Sequence, residues 1–140
     1  MKYLFIVQGE GRGHLSQALA LQQILVNNDT EICCVLVSES HSRKLPSYFE
    51  KNICAPLYKF KSPVFLKTLN KKGINILVSF IYNLLKIRVY IKSIRFIASI
   101  INHYSPDIVI NFYEPLTGLA YRFNKIKPKH ITIAHHFLVL

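Results

Sequence analysis

The chain consists of short runs of consecutive apolar residues, separated by stretches in which apolar residues recur every three or four positions. Runs of the first kind are typical of strands buried on both faces of a sheet, and stretches of the second kind are typical of amphipathic helices. Pro56 makes the third apolar run an edge strand or a broken one. Strands are predicted over residues 3–7, 31–37, 53–58, 107–112 and 130–136, and helices over residues 14–26, 43–51, 74–103 and 115–124.

Two stretches between the predicted strands have unusual compositions. Residues 59–72 contain five lysines and follow no clear period, so this segment is expected to be mobile or partly helical. Residues 74–103 are rich in Ile, Leu, Phe and Val, and this pattern predicts one long helix that is mostly buried. Its polar side chains form a narrow stripe at helical spacing: Asn75, Ser79, Asn83 and Lys86.

Strands and helices alternate along the whole chain. This order predicts an α/β fold, a Rossmann-like parallel sheet flanked by helices and joined by right-handed crossovers, in one domain over residues 1–140. Ligands of such sheets bind at the carboxyl ends of the strands, which here lead into residues 9–14, 38–42 and 113–117 and into the pair at 135–136. Because the sequence stops directly after a strand, we expect this domain to be a fragment of a longer protein.

The formal charge of +11 is unevenly distributed. No Asp or Glu occurs between Lys51 and Pro106, whereas ten of the 18 Lys and Arg residues do. Such a block indicates an anionic partner, which would be nucleic acid, acidic lipid or a phosphorylated substrate. The alternative is a solvated basic face without a specific partner.

Cysteine content and hydropathy indicate a cytoplasmic protein. Three cysteines in an apolar setting fit buried thiols in a reducing compartment. Cys33 and Cys34 are neighbours in a predicted strand, where successive side chains point to opposite faces, so no disulfide is expected between them. The start of the chain is too short for a signal peptide, and no window of eighteen uninterrupted apolar residues predicts a transmembrane helix.

The motif "QGEGRGHLSQ" at residues 8–17 directly follows the first strand. Its glycines are one residue short of the G-x-G-x-x-G dinucleotide fingerprint, although Glu39 follows the second strand, and a histidine stands where a phosphate loop needs lysine. Neither nucleotide motif is met. Glycines let backbone amides approach a ligand closely, and the start of a helix favours an anion or a charge that develops on an oxygen. A neutral His14 in the first helical turn would accept a proton from a hydroxyl, and the alternative is a structural histidine.

The residues of this loop carry a family resemblance. "GEGRGHLSQALAL" after an opening strand resembles the first loop and helix of the B-type (GT-B) glycosyltransferases. It is most similar to relatives of the N-acetylglucosaminyltransferase that makes lipid II, in which a Gly-Gly-Thr-Gly-Gly-His loop holds the equivalent place. "SPDIVINFYEPLTGLAYRFNKIKPKHITIAHH" resembles the later Pro-Asp, strand, loop, helix and strand of that family. The resemblance covers residues 1–42 and 105–136, and residues 43–103 match only in being long, helical and basic.

The resemblance implies a two-domain enzyme with its active site between the domains. This chain would be the amino-terminal half, which binds a sugar or lipid-linked acceptor. A carboxyl-terminal donor domain, or a separate subunit, would hold the nucleotide-sugar co-substrate. Transfer would invert the anomeric centre without a metal or another cofactor, since helix dipoles and backbone amides stabilise the leaving diphosphate.

Roles for individual residues follow from the same resemblance. Gly9, Gly11 and Gly13 would line the acceptor side of the cleft, with His14 as the base or the group that orients the acceptor. Glu114 would orient His14 or bind sugar hydroxyls. The chain departs from the family at Asn111, where relatives often carry an aspartate.

Each of the other polar residues of the motif has two possible roles, a contact with the ligand or a purely structural one. Arg12 would contact a phosphate or lie on the surface, and Glu10 would contact the ligand or offset the charge of Arg12. Ser16 and Gln17 would contact a ligand or support the start of the helix.

His135 and His136 raise the question of a metal site. Adjacent residues of an extended segment face opposite ways, and no Cys or acidic residue has ligand spacing near them, so no metal site is expected. His135 is retained as a candidate for the lining of the cleft.

The basic middle of the chain suggests a peripheral contact with the inner face of the membrane. Lysines of residues 59–72 beside Phe60, Val64, Phe65 and Leu66 would form a patch that attracts anionic lipid, and burial of these apolar side chains is the alternative. A second hypothesis for the whole chain is a non-enzymatic α/β module that binds nucleic acid or an acidic membrane surface. Strands that are apolar on both faces argue against nucleic acid.

Overall fold

The computed structural model of the chain describes residues 1–26, 28, 30–39, 44–64, 66 and 75–133. Within these ranges five strands form one sheet in which all neighbours are parallel, in the order β3-β2-β1-β4-β5. The elements are β1 (Lys2–Val7), α1 (Arg12–Val26), β2 (Glu31–Glu39), α2 (Ser47–Asn52), β3 (Leu57–Lys61), α3 (Ile76–Leu85), α4 (Ile87–Tyr104), β4 (Ile108–Phe112), α5 (Pro115–Phe123) and β5 (Lys129–Ile133). The predicted α/β, Rossmann-like parallel sheet with flanking helices is confirmed.

Both faces of the central strands are covered, as their continuous apolar runs predict. Leu4 and Ile6 of β1 belong to a cluster with the buried side chains of α4 and α5. Phe5 and Val7 point the other way, into a cluster with the buried side chains of α1 and α2. The domain therefore has three layers, with helices on each side of the sheet.

The strand order reverses direction between β1 and β4. From β1 the chain builds outward through β2 to β3, and it then returns to add β4 and β5 on the other side of β1. The loops that follow β1 and β4 consequently diverge at the carboxyl edge of the sheet, which leaves a crevice at the position where open α/β sheets bind ligands.

The third strand begins four residues later than predicted, at Leu57 instead of residue 53. Pro56 lacks a backbone N–H, and it contributes only its carbonyl oxygen, which accepts a hydrogen bond from Val35 N at 2.9 Å. Lys59 and Lys61 therefore lie in β3 and not in the expected mobile segment. Most of the remainder of that segment, and residues 134–136 of the last predicted strand, lie outside the described residues.

The predicted single, mostly buried helix over residues 74–103 is wrong in two respects. The chain forms two helices, α3 and α4, which are separated at Lys86, where φ is −98° and ψ is 9°. Helix α4 buries one stripe of side chains, whereas in α3 Ser79 alone is buried. Helix α4 ends as predicted, since Ser105 takes a left-handed conformation with φ of 45° and Pro106 follows it.

The cysteine pair also differs from its prediction. The register between β1 and β2 shifts between Tyr3 and Leu4, so β2 has one extra residue there, and Cys33 and Cys34 join the same core cluster instead of opposite ones. Both cysteines are free thiols, and Cys33 Sγ donates a hydrogen bond to Tyr3 O at 3.2 Å. The prediction of opposite faces is wrong because a bulge interrupts the alternation of side chains along β2.

A search of the described residues for a helix that is both long and apolar enough to cross a membrane found none.

Candidate functional site

The candidate site lies at the crevice where the loops after β1 and β4 separate. A backbone hydrogen bond from Gln8 N to Phe112 O, at 3.1 Å, holds the two strand ends together just before the loops diverge. The chain after β1 enters the glycine loop and α1, and the chain after β4 enters Tyr113 and α5. The predicted convergence of residues 9–14 and 113–117 at one edge of the sheet is confirmed by this topology.

The glycines of the loop have different structural roles. A Cβ on Gly9 would lie 2.1 Å from the backbone oxygen of Ser38, and Gly9 N donates a hydrogen bond to Ser38 Oγ at 3.2 Å. A Cβ on Gly11 would lie 2.7 Å from His14 Cδ2, whereas one on Gly13 would meet nothing within 4 Å. Gly9 is therefore required for the close approach of the loop to β2, and Gly11 leaves room for the imidazole.

His14 lies in the first turn of α1, which begins at Arg12. Its half-buried imidazole is stacked on the ring of Tyr113, with centroids 5.5 Å apart and an angle of 12° between the ring planes. Tyr113 has a positive φ of 61°, a conformation that costs a non-glycine residue about 1 kcal/mol or more. The strained backbone after β4 thus presents an aromatic ring to the first turn of α1.

Glu114 is the most deeply buried acid of the site, with a relative exposure of 1%. Its Oε1 atom accepts hydrogen bonds from Ser62 Oγ at 2.5 Å and from Leu116 N at 3.3 Å, so it caps the start of α5. Glu114 was expected to orient His14 or to bind sugar hydroxyls, and the ring that is stacked on His14 belongs to Tyr113. The hydrogen bonds of Glu114 orient the segment 62–64 and the start of α5. Its Oε2 atom is buried without a hydrogen-bond partner in the described structure.

Burial raises the pKa of Glu114 above the ordinary glutamate value. The hydroxyls of Ser62 and Ser38 and the N–H of Leu116 oppose this shift, and the negative charge of Glu10 adds to it. A raised pKa favours the protonated carboxyl, which is able to donate a hydrogen bond from the otherwise unpartnered side of the group.

Asn111, the position at which the chain departs from the family pattern, uses both ends of its amide. Its Oδ1 atom accepts a hydrogen bond from Glu114 N at 2.8 Å, and its Nδ2 atom donates one to Glu114 O at 3.1 Å. An aspartate would keep the first of these bonds and lose the second, because a carboxylate has no proton to donate. In this chain residue 111 shapes the turn that positions Tyr113 and Glu114.

A cavity of about 600 Å³ opens beside these residues, at the β4–β5 side of the crevice. Apolar side chains from α5 and from the segment after β3 form most of its wall, among them Val64, Leu116 and Leu119. Its polar groups come from several different elements: Gln8, Asn83, Asn111, Glu114, His130 and Thr132. An apolar cavity with a few convergent polar groups is the usual form of a small-molecule site.

His130 contributes a second imidazole to this cavity. Its ring is stacked on Tyr121, with centroids 4.6 Å apart, and burial lowers its pKa below the ordinary histidine value. Burial raises the pKa of Tyr121 to about 12. The lowered pKa favours the neutral imidazole of His130, which offers one hydrogen-bond donor and one acceptor.

Arg12 and Glu10 line a separate cavity of about 380 Å³ together with Gly9, Lys44 and Pro46. Arg12 is exposed and Glu10 is half-buried. The arrangement brings two cationic side chains, Arg12 and Lys44, to the start of α1, where the helix dipole also favours an anion.

The remaining predicted site residues are placed as follows. Ser16 is exposed on α1, and Gln17 is half-buried with its Oε1 atom lacking a hydrogen-bond partner in the described structure. His135 and His136 lie outside the described residues. Within the part of the chain that is described, no three His, Cys, Asp or Glu side chains lie close enough together to hold a metal ion.

The sequence pattern did not single out four polar residues of the site: Ser62, Asn83, His130 and Thr132. Ser62 falls in the lysine-rich segment without a period, and Asn83 belongs to the polar stripe that the helical spacing predicts. His130 stands at the start of a predicted strand, where no local pattern distinguishes it. The sheet topology indicates the position of Ser62, which directly follows β3, whereas the sequence carries no signal for Asn83, His130 and Thr132.

The chain was compared with protein-family models and with curated proteins, and it matches neither a family model nor a curated protein.

Proposed function

We propose that this chain is the acceptor-binding half of a B-type glycosyltransferase, which moves a sugar from a nucleotide-sugar donor to a hydroxyl group. The observation that carries the proposal is the pair formed by His14 and Tyr113 at the crevice between β1 and β4. His14 lies in the first turn of α1, and Tyr113, on which its imidazole is stacked, lines an apolar cavity of about 600 Å³. The resemblance of the glycine-histidine loop and of residues 105–136 to that family supports the same assignment.

The reaction follows from the chemistry of these groups. A neutral imidazole of His14 takes the proton of the acceptor hydroxyl as the oxygen attacks the anomeric carbon of the donor. The bond from that carbon to the diphosphate breaks, and the nucleoside diphosphate leaves with the electron pair. A single displacement of this kind inverts the anomeric centre. The donor half, as a second domain or a separate subunit, would supply most of the contacts with the nucleotide.

Glu114 and the cavity would recognise the acceptor. The Oε2 atom of Glu114 is buried without a hydrogen-bond partner in the described structure, and Glu114 is one of the residues that line the cavity. A hydroxyl of the acceptor would pair with this atom, so that the cost of a buried and unsatisfied polar group is removed on binding. The apolar wall around it fits an acceptor that carries a nonpolar portion next to its hydroxyl groups.

The decisive experiment measures release of nucleoside diphosphate by the full-length natural protein, together with the donor-binding subunit if that half is a separate chain. A panel of nucleotide sugars would be tested with sugar and lipid-linked acceptors. His14→Ala should lower turnover by about 10²–10⁴-fold, the usual contribution of a general base, and leave the affinity for the donor unchanged. Gln23→Ala, an exposed change on the same helix, is the matched control and should leave both quantities unchanged.

Two results would overturn the proposal. One is turnover by His14→Ala at the level of the unmodified protein. The other is the absence of nucleoside diphosphate release from every donor, combined with tight and steeply salt-dependent binding to DNA or RNA. That second result would instead assign the chain to the class of basic, non-enzymatic nucleic-acid-binding modules.

A further inference from the structure

Helix α3 exposes its apolar side chains to solvent and turns its polar side chains inward. Seven of its ten residues are apolar and exposed, with relative exposures between 48% and 80%. We call this surface the outer face of α3; it consists of Ile76, Leu77, Val78, Phe80, Ile81, Leu84 and Leu85. Single exposed apolar residues are common, but a contiguous group of this size marks an interaction surface.

Specific hydrogen bonds hold the polar side of α3 inward. Ser79 Oγ accepts a hydrogen bond from Leu66 N at 2.8 Å, and Asn75 N donates one to Leu66 O at 2.9 Å. The amide of Asn83 accepts from Val64 N at 3.2 Å and donates to Val64 O at 2.9 Å. The polar stripe thus pairs with the backbone of the segment after β3, and this pairing turns the apolar side chains outward.

The charged residues that follow the outer face along the chain are all of one sign. Helix α3 carries no charged residue, and three exposed cations follow it on one side of α4, at Arg88, Lys92 and Arg95. No acidic residue occurs between Lys51 and Pro106. An apolar face bordered by cations is complementary to a surface that offers hydrocarbon below a layer of negative charge.

We propose that the outer face of α3 docks on an anionic membrane surface, with its apolar side chains at the boundary of headgroups and acyl chains and Arg88, Lys92 and Arg95 at the lipid phosphates. A helix of ten residues is about 15 Å long, half the thickness of the hydrocarbon core, so it lies on the bilayer and does not span it. This inference does not depend on the proposed glycosyl transfer.

The same observations favour a membrane over two other partners for the outer face of α3, a second copy of the chain and nucleic acid. A second copy of the chain packed on this face would bring two groups of cations together with no acidic residue of residues 51–106 to pair with them. Nucleic acid would find phosphate contacts at the cations, but Phe80 is the single aromatic side chain of the outer face, and its aliphatic neighbours such as Leu84 and Leu85 give further bases nothing to stack on.

The structure also changes which residues are assigned to the membrane contact. Phe60 and Val64 do not contribute to the expected patch, because both side chains are buried, with 5% and 7% exposure, and Leu66 is half-buried. Lys59 pairs with Glu50 at 2.6 Å, and Lys61 pairs with Glu39 at 3.3 Å. Phe65 and the lysines at 67, 71 and 72 lie outside the described residues.

The absence of tryptophan from the chain allows a direct test. Phe80→Trp places one indole on the outer face of α3, and Phe123→Trp places one at a position of similar exposure, 70%, on α5. With vesicles of mixed phosphatidylglycerol and phosphatidylcholine, emission of the Phe80→Trp protein should shift to shorter wavelength, and lipids brominated in the acyl chain should quench it. The emission of the Phe123→Trp protein should not change.

Co-sedimentation gives the second measurement. The unmodified chain should partition to the anionic vesicles on the order of 100-fold more strongly than to pure phosphatidylcholine, because each of three cations near the surface contributes about a fivefold gain. Leu85→Glu should abolish pelleting, and Phe123→Glu, the matched control on α5, should retain it. Circular dichroism establishes that both variants are folded.

Either of two outcomes would overturn the inference. One is the same weak pelleting with both vesicle types and no spectral shift of the Phe80→Trp protein. The other is a lipid-free dimer, measured by light scattering, that Leu85→Glu converts to a monomer; this result would assign the face to a second copy of the chain. If Leu85→Glu does not fold, the two tryptophan variants decide alone.

Discussion

The imidazole of His14 lies parallel to the phenol ring of Tyr113, with the ring centroids 5.5 Å apart. The two residues are 99 positions apart in the chain and come from different halves of the sheet. Their contact joins the first turn of α1 to the loop after β4. The left-handed backbone of Tyr113, with φ of 61°, presents its ring to His14. The contact defines the floor of the crevice on which the proposed function depends.

Replacement of Tyr113 by glycine should separate its role in the site from its role in stability. Glycine accepts the left-handed backbone, a gain of about 1 kcal/mol, while the lost ring contact costs about 0.5–1.5 kcal/mol. The free energy of unfolding should therefore change by less than about 1 kcal/mol, and transferase turnover of the full-length protein should fall tenfold or more. Tyr113→Phe, which keeps the ring, is the control. A loss of turnover in proportion to a loss of folded protein would contradict this assignment.

Two glycines of one loop should respond in opposite ways to alanine. Gly9→Ala should destabilise the domain by about 1–3 kcal/mol or more, because the new methyl group would lie 2.1 Å from Ser38 O. Gly13→Ala meets nothing within 4 Å and should stabilise the domain by up to about 1 kcal/mol, since alanine restricts the unfolded chain. Urea unfolding of the two variants beside the unmodified chain measures both effects. Equal effects of both changes would show that the loop moves to admit a side chain at Gly9.

The pH dependence of stability should carry a signature of Glu114. Burial raises the pKa of this carboxyl in the folded protein, so the folded state holds the proton more tightly than the unfolded chain does. The free energy of unfolding should fall as the pH rises above the ordinary glutamate value of about 4.3, until the raised pKa is passed. Glu114→Gln lacks this decline, so its stability relative to the unmodified chain should increase over that interval.

Urea unfolding at a series of pH values from 4 to 8 measures the Glu114 effect. Ser62→Ala provides a second variant, because loss of the Ser62 hydrogen bond at 2.5 Å removes a group that lowers the pKa and should make the decline larger and extend it to higher pH. Parallel stability curves for the unmodified chain and Glu114→Gln would exclude a raised pKa at this position.

Helix α3 should tolerate loss of an apolar residue better than loss of a polar one. Asn83→Leu leaves the N–H and C=O of Val64 without their partners and should cost about 2–3 kcal/mol. Leu85→Ala removes a side chain that is 80% exposed and should change the free energy of unfolding by less than about 0.5 kcal/mol. Thermal or urea unfolding distinguishes the two. The opposite order would mean that the apolar side of α3 faces the core.

The sheet and the position of the site could be predicted from the sequence, because both follow from local patterns. Apolar runs such as "YLFIV" predict strands buried on both faces, and their alternation with helices leaves few topologies. The glycine loop after β1 and the polar residues after β4 were expected at one edge of the sheet, and the structure brings them there. The contacts within the site were not predicted, since Tyr113 and Ser62 meet their partners across long sequence separations.

The order of apolar and polar residues along the chain was enough to define which residues share a face: the strand runs, the stripe of α4, and the row formed by Asn75, Ser79 and Asn83. Tertiary structure alone decided which face of α3 points inward, because that choice depends on hydrogen bonds to Val64 and Leu66. It also decided that Cys33 and Cys34 share one cluster, through a shift of register against β1. Periodicity is a property of neighbours in the chain, whereas burial depends on the segments that pack against them.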